Sequence, residues 1–187
     1  MRISGGAARG VTLGAPGGTL VRPATDRLRQ AVFSSLAAVV PGAVFADLFA
    51  GSGSYGLEAF SRGASGGVFV ERNTRALACL RQNIAAVCKS ARRGAESLRT
   101  LPMDALAWRG GDGAPPDLVF ADPPYAVAED VADALFANIA EATRGKPGAV
   151  VVFELPGEME LRPAGWRLVR RLGGGARQPS AAFFARE

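Results

Sequence analysis

Histidine is absent from the 187-residue sequence. Its absence excludes Ser-His-Asp and Cys-His catalysis and every metal site that depends on histidine ligands, so we expect no metal. Long apolar runs are missing too, since no stretch reaches the roughly 18 residues of a membrane-spanning helix. The first residues also lack the apolar segment of a secretory signal. These absences predict a cytoplasmic protein that does not enter a membrane.

Cysteine is scarce, with Cys79 and Cys88 as the two examples. Both fall in one predicted helix, where their separation along the chain corresponds to about 13.5 Å. A disulfide requires Cα atoms within about 7 Å. We therefore expect two free thiols, as is usual in a reducing cytosol.

Lysine is also rare, because 20 of the 22 basic residues are arginine. Residues 1–46 carry a net charge of +4, whereas residues 103–161 carry −8. Arginine makes bidentate contacts with phosphate, and a basic N-terminal arm indicates a polyanionic partner. Genomic base composition is the alternative explanation for the arginine content, because Ala and Gly are also frequent. We predict that the arm binds its partner through Arg2, Arg9, Arg22 and Arg27.

The apolar pattern predicts an α/β protein. With 48% hydrophobic residues, the chain can bury the core of one domain. Short apolar strands alternate with helical stripes, which is typical of a parallel sheet, and a final hairpin suggests an antiparallel strand at one edge. Residues 1–21 indicate a small hairpin that precedes a helix. We expect an N-terminal arm and helix over residues 1–40 and a catalytic domain over 41–187, which together can form one compact unit.

A glycine loop follows the first predicted strand and opens a helix. Gly51, Gly53 and Gly56 match the G-x-G-x-x-G pattern, in which the backbone approaches a nucleotide closely. Glu71 ends the next strand, where a carboxylate can accept hydrogen bonds from both ribose hydroxyls. NAD is one candidate, but Asp47 interrupts the strand that such sites keep apolar, and 187 residues cannot hold a dehydrogenase's second half and substrate domain.

S-adenosylmethionine is the other candidate, and the sequence favours it. Residues 47–53 look like motif I of the class I methyltransferases, D-x-F-x-G-x-G. Asp104, after the third strand, is placed to accept from the adenine amino group, although a helix N-cap is its alternative role. The predicted cofactor-binding residues are Asp47, Phe49, Gly51, Gly53, Glu71, Arg72, Met103 and Asp104.

A second loop closes the fourth predicted strand with Asp122, Pro123, Pro124 and Tyr125. It resembles motif IV of the methyltransferases that act on exocyclic amino groups of bases. The lone pair of such an amine is delocalised into the ring, so a carboxylate and the Pro123 carbonyl are needed to accept from the NH₂ group and direct the lone pair at the methyl. The prolines preorganise these acceptors, and the tyrosine stacks on the extruded base. We predict that these four residues are catalytic.

The sequence as a whole is similar to the bacterial 16S rRNA guanine-N2 methyltransferases of the RsmD family. The similarity rests on the opening Met1-Arg2-Ile3, on residues 22–29 and on residues 47–64, while Ala24, Gln30 and residues 173–175 depart from the family's pattern. The resemblance implies a class I, Rossmann-like methyltransferase fold with a seven-stranded, mostly parallel sheet. It also implies methyl transfer from S-adenosylmethionine to the N2 amine of one guanine in 16S rRNA.

The resemblance further implies an assembling 30S particle as the partner, and we expect a monomer. Two alternatives stay open at this point. An N6-adenine methyltransferase acting on DNA or RNA shares the Asp-Pro-Pro-Tyr loop, although no segment is long enough for its extra recognition region. A non-catalytic RNA-binding protein with a relic cofactor site is the other, although the intact loop residues argue against decay.

Overall fold

The computed structural model describes residues 1–15, 23–111, 113–175 and 178–187, with the side chains of residues 23–25 excepted. Seven strands form one sheet with the order β3-β2-β1-β4-β5-β7-β6. The strands are β1 (Val44–Leu48), β2 (Gly66–Val70), β3 (Leu98–Leu101), β4 (Leu118–Ala121), β5 (Val150–Pro156), β6 (Trp166–Gly173) and β7 (Pro179–Arg186). The helices are α1 (Pro23–Ser35), α2 (Ser54–Ser61), α3 (Thr74–Ala91) and α4 (Ala128–Ala142), with a short 3-10 helix at Ala105–Ala107.

The first five strands are parallel, and β7 and β6 add an antiparallel edge. This arrangement confirms the predicted fold class. The chain leaves β1 toward β2 on one side and returns to β4 on the other. The order of strands therefore reverses between β1 and β4, and ligands of open α/β sheets bind at this point.

Each face of the sheet carries its own hydrophobic core. The N-terminal segment, α1, α2 and α3 pack on one face around Phe33, Phe45 and Phe69. The helix α4 and the 3-10 helix cover the other face around Phe136 and Phe153. Strands covered on both faces are uniformly apolar, which explains why β4 reads Leu-Val-Phe-Ala with every residue buried.

The N-terminal segment packs against the sheet's helices. Within residues 1–15, the predicted hairpin is present as one antiparallel bridge between Arg2 and Thr12. Residues 16–21 of that prediction lie outside the described residues. Glu58 of α2, which is fully buried, accepts from the Ser4 backbone N–H at 2.8 Å and from the Ser4 hydroxyl at 2.7 Å. Ile3 and Leu13 join the core that surrounds Phe33. The domain boundary at residue 40 stays a prediction.

Both cysteines lie in α3, as predicted, and both are free. Asn73 starts this helix, because its side chain accepts from the backbone N–H groups of Arg75 and Ala76. Within the described parts of the chain, no helix combines the length and apolarity that crossing a membrane requires.

Candidate active site at the sheet switch point

The two predicted loops leave the sheet side by side. Leu48 pairs with Ala121 at the ends of β1 and β4, so the next residues along each strand, Phe49 and Asp122, begin adjacent loops. The sheet therefore brings the glycine loop and the Asp122 loop to one edge, at the switch point.

The glycine loop adopts a tight left-handed path. Phe49 has φ of 61° and Gly53 has φ of 81°. A Cβ at Gly53 would stand 2.4 Å from Leu80 Cδ1, so glycine is required here by both space and conformation. Phe49 has no such freedom, and its left-handed backbone is a strained feature of the kind that clusters at ligand sites.

Glu71 holds the glycine loop from the end of β2. Its Oε2 accepts from Gly51 N–H at 2.9 Å, and its Oε1 accepts from Asn73 N–H at 2.7 Å. Each carboxylate oxygen has a second lone pair. Glu71 can therefore support the loop and still accept from the two hydroxyls of a ribose.

Asp47 lies beneath the loop and is 2% exposed. Its Oδ2 accepts from Gly56 N–H at 2.8 Å, which ties β1 to the first turn of α2. Burial raises its pKa to about 8, and the charge of Glu71 adds to the rise while the Gly56 hydrogen bond opposes it. Burial thus disfavours the ionised carboxylate of Asp47, and a cationic ligand group would favour it.

Asp104 caps the 3-10 helix, so the alternative role predicted for it is present. Its Oδ1 accepts from Leu106 N–H at 2.9 Å, and its Oδ2 accepts from Arg72 Nη1 at 2.7 Å. The Leu106 hydrogen bond and then the Arg72 pair lower its pKa. Met103 precedes it, half-buried against the core of α4. The structure places Arg72, Met103 and Asp104 together at the ends of β2 and β3, and their contact with adenine stays a prediction.

The Asp122 loop combines rigid and accessible groups. Pro123 is buried, whereas Asp122 and Pro124 are open to solvent and Tyr125 is 37% exposed. Although the Asp122 side chain reaches solvent, desolvation by the surrounding protein raises its pKa, and the charges of Glu154 and Asp47 raise it further. The four predicted catalytic residues thus present a carboxylate and an aromatic ring to the edge where the glycine loop lies.

Sequence reasoning missed Glu154, a carboxylate within β5 that is 5% exposed. Its Oε2 accepts from the Tyr55 hydroxyl at 2.8 Å, and its Oε1 accepts from the Tyr125 hydroxyl at 3.2 Å. Burial raises the pKa of Glu154, while the two tyrosine hydrogen bonds and Arg29 oppose the rise. A glutamate inside the run Val150–Pro156 is the signal that could have found it.

Asn83 of α3 was also missed. Its amide donates to Ser52 O at 2.9 Å and to Gly14 O at 3.0 Å, and its Oδ1 accepts from Gly14 N–H at 2.8 Å. The side chain therefore joins the glycine loop to the end of the N-terminal segment. The signal in the sequence was an asparagine on the apolar side of a predicted helix.

The predicted partner-binding arginines lie on the surface where they are described. Arg2, Arg9 and Arg27 are exposed, and none of them forms an ion pair with another described residue. Arg2 and Arg9 line one depression of about 400 Å³ together with Arg62. Arg22 lies outside the described residues.

The fold and the two loops together define the class of protein. A seven-stranded sheet with the order β3-β2-β1-β4-β5-β7-β6, a glycine loop after β1 and an acid at the end of β2 define the class I methyltransferase fold. The fold is shared with a solved structure of the Escherichia coli protein yhhF, with a TM-score of 0.75 and 32% identity over 100% of this chain and 98% of that one.

The family follows from sequence comparison. The family model described as "Conserved hypothetical protein 95" matches residues 1–179. Ribosomal RNA small subunit methyltransferase D of Escherichia coli (strain K12) is 38% identical over 67% of this chain and 60% of that protein. Protein YlbH of Bacillus subtilis (strain 168) is 33% identical over 86% of this chain and 85% of that protein. The chain belongs to this family, and the predicted resemblance to the RsmD family is confirmed.

Proposed function

We propose that this protein transfers a methyl group from S-adenosylmethionine to the exocyclic N2 amine of a guanine in 16S rRNA. The observation that carries the proposal is the Leu48–Ala121 register, which sets the Asp122 loop beside the glycine loop. A methyl donor on one loop and a base amine on the other would meet at the switch point. The curated Escherichia coli relative is named for action on small-subunit ribosomal RNA, in agreement with this assignment.

The cofactor's charges suit the site. S-adenosylmethionine carries a sulfonium and an ammonium group, and the edge holds the carboxyl groups of Asp47, Glu71 and Asp122. Glu71 would accept from the ribose and Asp104 from the adenine, with Arg72 and Met103 beside it. Phe49, Gly51 and Gly53 would supply the close backbone surface, and Asp47 would hold the methionine end through the loop.

Asp122 and Tyr125 would act on the target base. Tyr125 stacks on the extruded guanine, and the Asp122 carboxylate and the Pro123 carbonyl accept hydrogen bonds from its amine. Bound S-adenosylmethionine would supply the methyl group to the nitrogen lone pair, with the neutral thioether as the leaving group. The surplus proton passes from nitrogen to the Asp122 carboxylate and then to water. Pro123 and Pro124 keep these groups preorganised.

The proposed substrate is the rRNA within an assembling 30S particle in the cytoplasm. Arg2, Arg9, Arg22 and Arg27 would contact its phosphates. We further propose that the protein acts as a monomer.

A transfer assay tests the proposal and its alternatives. Purified protein is incubated with S-adenosylmethionine carrying a tritiated methyl group and with 30S particles that lack the modification, and the rRNA is digested to nucleosides. N2-methylguanosine supports the proposal. Methyladenosine would instead identify an adenine methyltransferase, and an absence of label with normal RNA binding would identify a non-catalytic binder.

A further inference from the structure

Glu154 is a buried carboxylate with two tyrosine donors from different elements. Tyr55 belongs to α2, and Tyr125 belongs to the Asp122 loop. Burying a carboxylate is costly unless its oxygens are hydrogen-bonded. Here each oxygen receives one hydroxyl, at 2.8 Å and 3.2 Å. The carboxylate therefore links the target-base loop to a helix that packs in the core.

The sheet register places Glu154 beside Asp122. Ala121 of β4 pairs with Phe153 of β5, so Asp122 and Glu154 are the next residues on two neighbouring parallel strands. Side chains at matched positions of adjacent strands extend from the same face of a sheet. One buried residue thus adjoins the catalytic carboxylate and contacts the catalytic ring.

Tyr55 is the fixed end of this chain of contacts. It is 5% exposed, and its ring stacks on Phe120 with centroids 5.3 Å apart and an interplanar angle of 23°. A second ring, Phe33, lies with its centroid 6.2 Å away. Tyr55 therefore holds Glu154 in place, and Glu154 in turn limits the rotation of the more exposed Tyr125.

Resting on the proposed function, we propose that Glu154 is a positioning residue for methyl transfer, which orients the Tyr125 ring for base stacking and sets a second carboxyl group beside Asp122. Asp122 and Tyr125 touch the base, whereas Glu154 acts through them. Tyr55 shares the role one contact further from the reaction.

The charged neighbours give the proposal a pH signature. Glu154, Asp47 and the Tyr55 hydroxyl face Asp122, while Tyr55, Tyr125, Asp122 and Arg29 face Glu154. Two adjacent carboxyls oppose each other's ionisation. Replacing Glu154 by Gln removes one of them, so the pKa of Asp122 falls and the acid limb of the pH–rate profile moves to lower pH. A residue that serves only packing would not move that limb.

The first experiment is a double-mutant cycle on methyl transfer to 30S particles at saturating cofactor. Y125F removes the hydroxyl, and E154L removes the acceptor while suiting the apolar strand. Each single variant is expected to lower kcat/KM about tenfold. The double variant should fall no more than about threefold below the less active single variant, because both changes break the hydrogen bond between Tyr125 and Glu154. Calorimetric cofactor affinity within about threefold of wild type shows that the variants are folded. If E154L does not fold, Y55F/E154L replaces it in the cycle, since it leaves no orphaned Tyr55 hydroxyl.

The second experiment compares pH profiles of E154Q and E160Q. Glu160 is exposed and pairs with Arg162, so E160Q is a matched control that should keep the wild-type limb. An acid limb shifted to lower pH in E154Q alone supports the proposal. Additive losses in the cycle, or an unshifted limb in E154Q, overturn it while the wild type remains active. A wild type that methylates no RNA overturns the proposed function and this inference with it.

Discussion

Asp122 and Glu71 lie at the same edge of the sheet but serve different ligands in the proposed reaction. Asp122 faces the target amine, so D122A should abolish transfer with a loss of about 2–4 kcal/mol or more of transition-state stabilisation. Cofactor affinity should stay within a few-fold of wild type. Calorimetry with S-adenosylmethionine and single-turnover transfer measure the two effects, and loss of cofactor binding in D122A would contradict the assignment.

Glu71 should show the opposite behaviour. E71A removes the proposed acceptor for the ribose hydroxyls as well as the 2.9 Å hydrogen bond from Gly51 N–H. Hydrogen bonds to a charged group contribute about 1.5–3 kcal/mol each, so the cofactor dissociation constant should rise at least tenfold. The same calorimetric titration measures it, with D122A as the matched comparison. An unchanged constant would remove Glu71 from the cofactor site.

Asp47 should make stability depend on pH. Its pKa of about 8 in the folded protein exceeds the ordinary value of 3.8, so between these values the folded state keeps a proton that the unfolded state releases. Raising the pH through this window therefore lowers the free energy of unfolding, by at most about 1.4 kcal/mol per pH unit. Urea denaturation from pH 5 to pH 8 measures the free energy of unfolding of wild type and D47N. The wild type should lose stability relative to D47N as the pH rises. A constant difference would show that Asp47 ionises normally in the folded protein.

At the scale of elements, the start of α2 depends on Gly53, where both the backbone conformation and the space favour glycine. Gly53 and Gly42 both have positive φ, but a Cβ would meet Leu80 only at Gly53, and Gly42 has open space around it. G42A should cost about 1–2 kcal/mol for its left-handed backbone, and G53A about 1–3 kcal/mol more for the added clash. Chemical denaturation measures both variants. Equal losses would mean that Leu80 moves aside without cost.

The elements themselves were predictable because their signals are local. The strands β1, β4 and β5 are short, mostly apolar runs, and Gly51, Gly53 and the Pro123-Pro124 pair mark the loops that follow β1 and β4. The contacts of Glu154 were not predictable, since they depend on α2 and the Asp122 loop meeting at β5. The N-cap role of Asp104 was foreseen only as an alternative, because its choice of partner depends on where Arg72 lies in three dimensions.

At the scale of the whole molecule, the proposed function assigns RNA binding to the N-terminal arm and methyl transfer to the edge of the sheet. Each arginine–phosphate contact on single-stranded RNA contributes about −0.7 to the slope of log affinity against log salt. Replacing Arg2, Arg9, Arg22 and Arg27 by Ala should therefore flatten that slope by about 2–3, with cofactor binding nearly unchanged. Salt titrations of 30S binding measure it. R167A/R170A, on the exposed edge strand β6, is the comparison, and superimposable slopes for the quadruple variant and wild type would move the RNA-binding surface to that edge.

The helix α2 starts at the glycine loop and carries the N-terminal segment on Glu58 and Ser61, where Ala7 N–H donates to Ser61 O at 2.7 Å and Ala8 N–H donates to Ser61 Oγ at 2.9 Å. Its eight residues span only about 12 Å. RNA binding that shifts the N-terminal segment would therefore also act on the short helix that starts at the glycine loop. Thermodynamic reciprocity then requires that any change RNA makes in cofactor affinity be matched, factor for factor, by the change the cofactor makes in RNA affinity.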